Sequence, residues 1–503
     1  MGPMAQSNHR SIGSPLPLGL AAALDGWRQR PGPLYLRLSD ALAAAIEAEE
    51  ILPGTKLPPE RLLAEQLGVA RTTVATALDA LEGRGLLERR QGRGTHVAGV
   101  HGGQVEPRAA DLTTTLQRNI IFRRLGDRGA DAVDLLGNPA PGAAARAAVV
   151  AAAREVDFAG LMADSGYFPL GYPPLRRALA EHLTAGGLPS TEEEILVTAG
   201  AQQAISLLAA YYTKPGSAVM LEDPTFPGAI DAFRAAGAHV LSVAIQETGG
   251  APGPIAAAMA DGSVRAVYLM PTHHNPTGTV MPDPVRRELV RTSARTGVPI
   301  IEDGSLADLT LAGQVPPPLA AHGQDAPIVS IGSLSKLFWP GLRVGWIRAG
   351  RSMIAQLGQV KAVADLGTSV VSQAIACLLL GDAQRLREQR RQELGERLAI
   401  LQDLLPRLLP DWTWRRPRGG MYVWCKLPDG SATELAQVAS RHGVLIAPGA
   451  IMSPTGRFDD FVRLSFDAEP DPLRAGLHRL AAAWDAYATA VRDRGARRID
   501  VIV

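Results

Sequence analysis

Leu38, Leu42 and Ile46 recur at helical spacing over Leu34–Glu50, and LPGTKLP then breaks the helix. Pro59–Leu67 predicts a short second helix and Gly68 a turn. A third helix follows in RTTVATALDALEG, where Thr72 and Thr73 suit the N-terminus and Val74, Leu78 and Leu81 face inward. LLERRQGRGTHVA reads as a β-hairpin, with Gly92 and Gly94 at the turn and Val97 returning inward. A short helix, a glycine turn and a second helix form a helix-turn-helix, and the hairpin adds a wing. From about Asn119 the pattern changes. Apolar runs at Ile195–Val197, Ala218–Leu221, Ala266–Met270, Pro299–Glu302 and Ile328–Ile331 alternate with helical segments rich in Ala, Leu and Arg. That alternation predicts an α/β domain with a mostly parallel sheet covered on both faces. Residues 1–32 read as a flexible N-terminal segment, 33–98 as the helical unit and 99–118 as a linker. Residues 119–503 read as the α/β domain, its large part running to about 380 and its small part from about 381.

At 46% hydrophobic and 20% charged residues, the chain of 503 can bury large cores and is not a disordered polymer. A formal net charge of +1 excludes a protein that coats nucleic acid through bulk charge, but leaves room for a local basic face. Residues 33–54 carry one Arg against four acids. Residues 55–98 carry seven basic residues (Lys56, Arg61, Arg71, Arg84, Arg89, Arg90 and Arg93) against five acids. The positive charge therefore gathers where a recognition helix and wing meet phosphates. The two cysteines, Cys377 and Cys425, form no CxxC pair, which points to a reducing cytoplasm. The uncharged run from Ile195 to Thr213 has membrane-span length. Thr198, Gly200, Gln202, Gln203 and Ser206 interrupt it, so it reads as strand, turn and buried helix, and no membrane partner is expected. RDRGARR, Arg492–Arg498, reads as a solvated helix end.

In the first unit, Arg71 beside Thr72 and Thr73 offers a bidentate donor to the major groove, and Arg93 between two glycines reaches toward a phosphate or the minor groove. The run from PLYLRLSDAL through LPPERLLAEQLGVARTTVATALDALEGRGLLERRQGRGTHV resembles the winged helix-turn-helix of the GntR family of bacterial regulators. The resemblance implies binding to double-stranded operator DNA, with Arg61, Arg71, Thr72, Thr73 and Gly92 approaching it. Ala70 stands where that family has Ser or Thr.

The second unit carries an ordered set of chemical groups. TAGAQQA places Gly200, Ala201 and Gln202 at a strand-to-helix turn, where backbone N–H groups can face a phosphate. EDPTF puts Phe226 after a strand end, as a stacking face. PTHHNPTG carries Asn275, a donor to a phenolate oxygen, on a Pro-stiffened loop. His273 and His274 lack metal-ligand spacing and read as loop residues with no carboxylate nearby, so no metal is expected. Asp303 follows a buried strand, a place to hold a pyridine nitrogen protonated. SIGSLSKLFWPGLRVGW holds Lys336, the sole lysine between Lys214 and Lys361, in an apolar setting suited to a Schiff-base nucleophile. Ser333, Ser335 and Arg343 can supply hydroxyls and a cation to the phosphate.

Phosphate donors, aromatic stack, Asn, Asp and Lys in this order describe a pyridoxal 5′-phosphate pocket. The sequence resembles the fold-type I aminotransferases from about Asp131 to the end. By that resemblance Gly137 of GNP lies near a substrate carboxylate, Tyr167 reaches the phosphate of a partner subunit, and Arg463 of RLSF binds the α-carboxylate. One departure stands out. The family's aspartate strand continues to a Tyr on the cofactor's phenolic oxygen, whereas here Gly304, Ser305 and Leu306 follow Asp303. The two halves together resemble the MocR group of transcriptional regulators. The resemblance implies a domain-swapped homodimer that senses a small amine or amino acid by transimination at Lys336. Two other readings stay open at this point: a working aminotransferase with an accessory DNA-binding domain, and a regulator that answers to the cofactor alone.

Overall fold

The computed structural model describes residues 24, 27–29, 33–47, 51, 55, 57–83, 86–90, 94–97, 132–137, 141–245, 249–323 and 325–499. The chain divides into two compact units, Met1–Ala109 and Ala110–Val503.

In the first unit, helices α1 (Leu34–Glu47), α2 (Glu60–Leu67) and α3 (Arg71–Gly83) precede strands β1 (Leu87–Arg90) and β2 (Gly94–Val97). The strands pair antiparallel with Leu87 opposite Val97. Leu38, Leu42, Leu63, Val74, Leu78, Leu81 and Val97 close one core. Gly68 ends α2 at φ 59°, a left-handed conformation that glycine adopts without penalty. Thr55 and Leu57 are tied to the wing by backbone bonds to Val97 and Thr95. The third helix spans Arg71–Gly83, with Thr72 and Thr73 in its first turn and Ala70 before it, as the sequence reading expects. One detail differs. Of residues 1–32, read above as flexible, Leu24 and Trp27 are buried in the core, and Arg28 donates to the carbonyls of Leu67 and Gly68. The large apolar ring of Trp27 and the unpaired carbonyls at the end of α2 explain why this stretch is held.

The second unit opens with β3 (Val133–Asp134). Its main sheet comprises β4 (Ile195–Thr198), β5 (Ala218–Asp223), β6 (His239–Ala244), β7 (Ala266–Leu269), β8 (Ile300–Asp303), β9 (Ile328–Ser333) and β10 (Gly345–Arg348). Their order is β4-β10-β9-β8-β7-β5-β6. Only β10 runs against its neighbours; the other strands all point one way. Consecutive residues of β8 pack on opposite faces, Ile301 with Leu208, Phe233 and Ile347, and Ile300 with Val267, Leu289 and Leu319. Helices thus cover both faces, and the ends of β4, β5, β7, β8 and β9 share one edge, where ligands of open α/β sheets bind. β6 and β10 escape the simple apolar pattern: β6 is a half-exposed edge strand, and β10 (GWIR) sets only two apolar residues between Gly345 and Arg348.

The smaller part follows, with helix Ala383–Leu408, β11 (Thr413–Trp414), β12 (Tyr422–Lys426), helix Ala432–Arg441, β13 (Val444–Leu445), β14 (Ala447–Pro448), β15 (Phe461–Ser465) and a closing helix Pro470–Ile499. Its sheet runs β11-β12-β15-β14, while β13 pairs in parallel with β3 and so ties this part to the start of the unit. The stretch Arg492–Arg498 lies in the closing helix, but its side chains fall outside the described residues. Among the described residues no helix is long and apolar enough to cross a membrane.

Candidate functional site

The shared sheet edge begins with the turn after β4. Gly200, at φ 83°, precedes helix Ala201–Tyr212, and no side chain caps that helix. Arg343, itself at φ 53°, donates from Nη2 to the Ala199 carbonyl at 2.6 Å. A Cβ on Gly200 would fall 2.8 Å from that Nη2 and displace the arginine, and the positive φ itself favours glycine here. Ser333, at the end of β9, lies opposite Gly345 in register and accepts from the Ser335 N–H at 3.2 Å. Gln202 donates to the Gly228 carbonyl at 2.9 Å. A Cβ on Gly228 would strike both Gln202 Oε1 and the Phe226 ring, so this glycine lets the ring fold back toward the turn. The structure therefore gathers Gly200, Ala201, Gln202, Phe226, Ser333, Ser335 and Arg343 in one neighbourhood. The sequence reading missed what stiffens it. Gln203 Oε1 accepts from the Ala199 N–H at 2.7 Å and its amide donates to Asp365 at 2.8 Å, and Asp365 is held by the fully buried Lys361.

Asp303, 2% exposed, ends β8. Its Oδ1 accepts from the Ser305 N–H at 2.8 Å and its Oδ2 from the Tyr268 hydroxyl at 2.6 Å. Tyr268 was not foreseen. Burial, and next the charge of Asp303, push its phenol pKa well above the usual value, so it stays a donor. The Ser305 hydroxyl is buried without a hydrogen-bond partner. Lys336 is half-buried, where the sequence anticipates an apolar setting, and its Nζ donates to the Gly137 carbonyl at 3.2 Å.

Asn275 and Arg463 meet although 188 residues separate them: Arg463 Nη1 donates to Asn275 Oδ1 at 2.9 Å and Nη2 to the Leu136 carbonyl at 2.6 Å. The Arg463 guanidinium stands 4.1 Å from the centroid of the Tyr422 ring, and its Nε has no partner. Burial lowers its pKa, a shift opposed by Tyr422 and Asp134. Gly137, at φ 100°, packs so closely on Tyr422 that a Cβ would come within 2.6 Å of the ring. Tyr422, also unforeseen, shapes this corner.

The histidine reading needs correction. Both histidines lie in the loop after β7, but both are buried, and His274 Nε2 is 3.5 Å from the carboxylate of Glu222, which β5 brings from 52 positions earlier in the chain. His273 Nε2 meets the Thr310 hydroxyl at 2.8 Å. Burial first, then Arg286 and Arg418, push its pKa down to about 4. Tyr167 is 67% exposed and its side chain bonds to none of these groups.

In the first unit, Arg61 and Thr72 are exposed and Thr73 is half-buried. The Arg71 side chain is 71% exposed, with Nη2 3.4 Å from Glu60. Gly92 and Arg93 lie outside the described residues.

A seven-stranded sheet with this edge, in a chain that also builds a winged helix, defines an aminotransferase-type α/β protein with a DNA-binding head. Residues 133–480 match the aminotransferase class I and II family, and residues 34–97 match the gntR family of bacterial regulatory proteins. The chain is 30% identical to the uncharacterized HTH-type transcriptional regulator YdfD of Bacillus subtilis, over 89% of this chain and 95% of that one. It is 34% identical to the 2-aminoadipate transaminase of Thermus thermophilus, over 62% of this chain and 79% of that one. The crystal structure of LysN, an α-aminoadipate aminotransferase of Thermus thermophilus complexed with N-(5′-phosphopyridoxyl)-L-leucine, superposes with a TM-score of 0.66 at 29% identity, covering 75% of this chain and 98% of that one. The chain belongs to the aminotransferase class I and II family and carries a gntR-family winged helix-turn-helix, the architecture of the MocR-type regulators.

Proposed function

We propose that the protein is a DNA-binding transcriptional regulator that holds pyridoxal 5′-phosphate at Lys336 and senses a small amine or amino acid by transimination there. What carries the reading is the presence in one chain of a winged unit with an exposed Arg71 and of a sheet edge that assembles Gly200, Asn275, Asp303, Lys336 and Arg343.

The residues present fit the cofactor. The uncapped helix behind Gly200 suits a phosphate, and a Cβ on Gly200 would push Arg343 from its place beside that helix. The Ser305 hydroxyl and the Gln202 Oε1 are buried and unpaired, groups that a polar ligand can satisfy. When bound, the cofactor supplies a carbonyl carbon that exchanges one amine for another, and an electron sink for bonds to the amine's carbon. The remaining work falls to the chain. Lys336 Nζ would be the amine that holds the cofactor's carbonyl carbon and that an incoming amine would displace. Asp303, fixed by Tyr268 and the Ser305 N–H, can hold the ring nitrogen protonated. Asn275 can donate to the phenolic oxygen, and Phe226 can stack on the ring. Backbone N–H groups of Ala201 and Gln202, with Ser333, Ser335 and Arg343, can grip the phosphate. Arg463 can take an effector carboxylate beside Gly137.

The same proposal makes the protein a homodimer in which Tyr167 serves the partner's phosphate site. Support comes from exposed apolar residues around it, Met162 at 75%, Val363 at 92% and Leu366 at 58%. The operator is double-stranded DNA read by Arg61, Arg71, Thr72 and Thr73, with Gly92 and Arg93 in the wing. Effector binding changes DNA affinity only to the extent that it favours one of the two DNA-binding states.

A second reading, a working aminotransferase, is favoured by the assembled pairs Asn275–Arg463 and Tyr268–Asp303. The deciding experiment titrates the cofactor-loaded protein spectrally with amines and amino acids, beside an operator-binding assay and a turnover assay with amino donor and keto acid. A regulator changes its absorption band and its DNA affinity at the same ligand concentration. Many turnovers with no effect on DNA binding would establish the enzyme instead.

A further inference from the structure

Two of the three cationic groups of the site grip neighbouring carbonyls: Arg463 Nη2 takes Leu136 and Lys336 Nζ takes Gly137. A second link joins the same groups from behind. Four positions beyond Arg463 stands Asp467, 4% exposed, whose Oδ1 accepts from Arg390 Nη2 and, at 3.0 Å, from Arg397 Nη1. Arg390 turns its Nε to the Lys336 carbonyl at 3.3 Å and its Nη1 to Glu393 at 3.2 Å, so all three guanidinium nitrogens are engaged. Arg397 anchors the far side, on the Asp467 carbonyl at 2.8 Å and on Glu469 at 2.9 Å. The strand itself is pinned, since the Ser465 N–H donates to Leu135 at 2.8 Å and its hydroxyl accepts from the Asp467 N–H at 3.2 Å. Arg463, Leu136–Gly137, Lys336, Arg390 and Asp467 therefore form a closed ring of contacts. Burying such a charged cluster is costly, and well-packed apolar residues usually serve stability as well. Its position directly behind the lysine calls for another role.

We propose that Arg390, held by Asp467, is a positioning residue that makes Lys336 respond to a carboxylate at Arg463. The proposal rests on Lys336 as the cofactor lysine and Arg463 as the carboxylate fork. An arriving carboxylate replaces Leu136 O and Asn275 Oδ1 on the guanidinium. Leu136–Gly137, released from the guanidinium, then shifts beside the Lys336 side chain. The strand carrying Arg463 leads two residues past its end into Asp467, which draws on Arg390 and through it on the Lys336 carbonyl. An amine without a carboxylate reaches the lysine but sends no such signal. The site thereby separates amino acids from amines by coupling two of its own side chains, beyond direct contact with the ligand.

The test uses the full chain loaded with pyridoxal 5′-phosphate, titrated spectrally with a panel of amino acids and the amine that decarboxylation of each would give. For the best-responding pair, the unaltered protein is expected to answer the amino acid at a concentration at least tenfold lower than the amine. Absence of any visible band before titration would instead sink the cofactor reading itself, a separate result. In Asp467→Asn and Arg390→Lys the band is expected to persist while the amino-acid preference shrinks below threefold. Arg390→Lys keeps a cation on Asp467 but cannot span to the Lys336 carbonyl as well, so it carries the test if the other variant does not fold. Equal weakening of both ligands leaves the preference unchanged and overturns the proposal, as does an unaltered protein without any preference. A measurement needing no variant is amide hydrogen exchange over residues 333–338. It should change with the amino acid and not with the amine, and equal changes with both also overturn the coupling.

Discussion

Arg343 and Arg463 are both placed to hold an anion, and the fold treats them in opposite ways. Arg343 sits exposed in a turn, with Nη2 on the Ala199 carbonyl at 2.6 Å beside the uncapped helix and Nη1 only loosely on the Pro340 carbonyl at 3.4 Å. Arg463 is 3% exposed, lies against Tyr422, and spends its two terminal nitrogens on Asn275 and Leu136. An exposed fork can turn to an arriving anion at little cost, because water satisfies the carbonyls it leaves. A buried fork must exchange partners, but it meets its ligand away from water, where each charge-assisted bond is stronger, and its occupancy moves its neighbours. The first arrangement suits a resident phosphate and the second a signal.

The largest test of this contrast removes the residue between the two forks. Lys336→Ala should abolish the visible band of the lysine-bound cofactor completely, while Arg343 still retains the phosphate. A persisting band would place the covalent link elsewhere. Next, Arg463→Gln should raise the amino-acid concentration needed for a spectral response on the order of 100-fold, about 3 kcal/mol, and shift the matching amine far less. Equal shifts would mean that Arg463 only holds the fold. A third exposed fork, Arg71 of the winged unit, extends the comparison. Arg71→Ala should weaken operator binding by ~1–3 kcal/mol in a salt-controlled titration, and an equal loss on random DNA would make it a phosphate contact rather than a base reader. The smallest effect belongs to Arg343→Gln, expected to weaken cofactor retention about tenfold, ~1.4 kcal/mol, by equilibrium dialysis. A larger loss than that of Arg463→Gln for its own ligand would reverse the contrast.

Much of this architecture is legible before any coordinates. The alternation of apolar runs with helical segments predicts the main sheet, and the positions of Asn275, Asp303 and Lys336 after such runs predict the shared edge, because parallel strands joined by crossovers must end together. The wing and third helix are equally readable, since glycine and hydrophobic spacing are local signals. Tyr268, Tyr422 and the Gln203–Asp365–Lys361 link were not readable. Each is an ordinary residue in its own strand or helix and gains meaning from a partner 35 to 162 positions away, or from ring packing across the fold. The buried His274–Glu222 approach escaped for the same reason, and Trp27 and Arg28 because a Pro- and Gly-rich stretch gives no hint of what it packs on.

By itself, then, the sequence determined the two units, the order of the strands' chemistry and the types of group at the site, because local propensity and spacing carry that information. Only the tertiary structure decided which fork is exposed and which is buried against its partners. That depends on carbonyls and carboxylates brought from distant segments: Leu136 lies 327 positions from Arg463, and Asp467 lies 77 from Arg390. A buried charge takes whichever partner the packing leaves within reach, and no spacing along the chain encodes that choice.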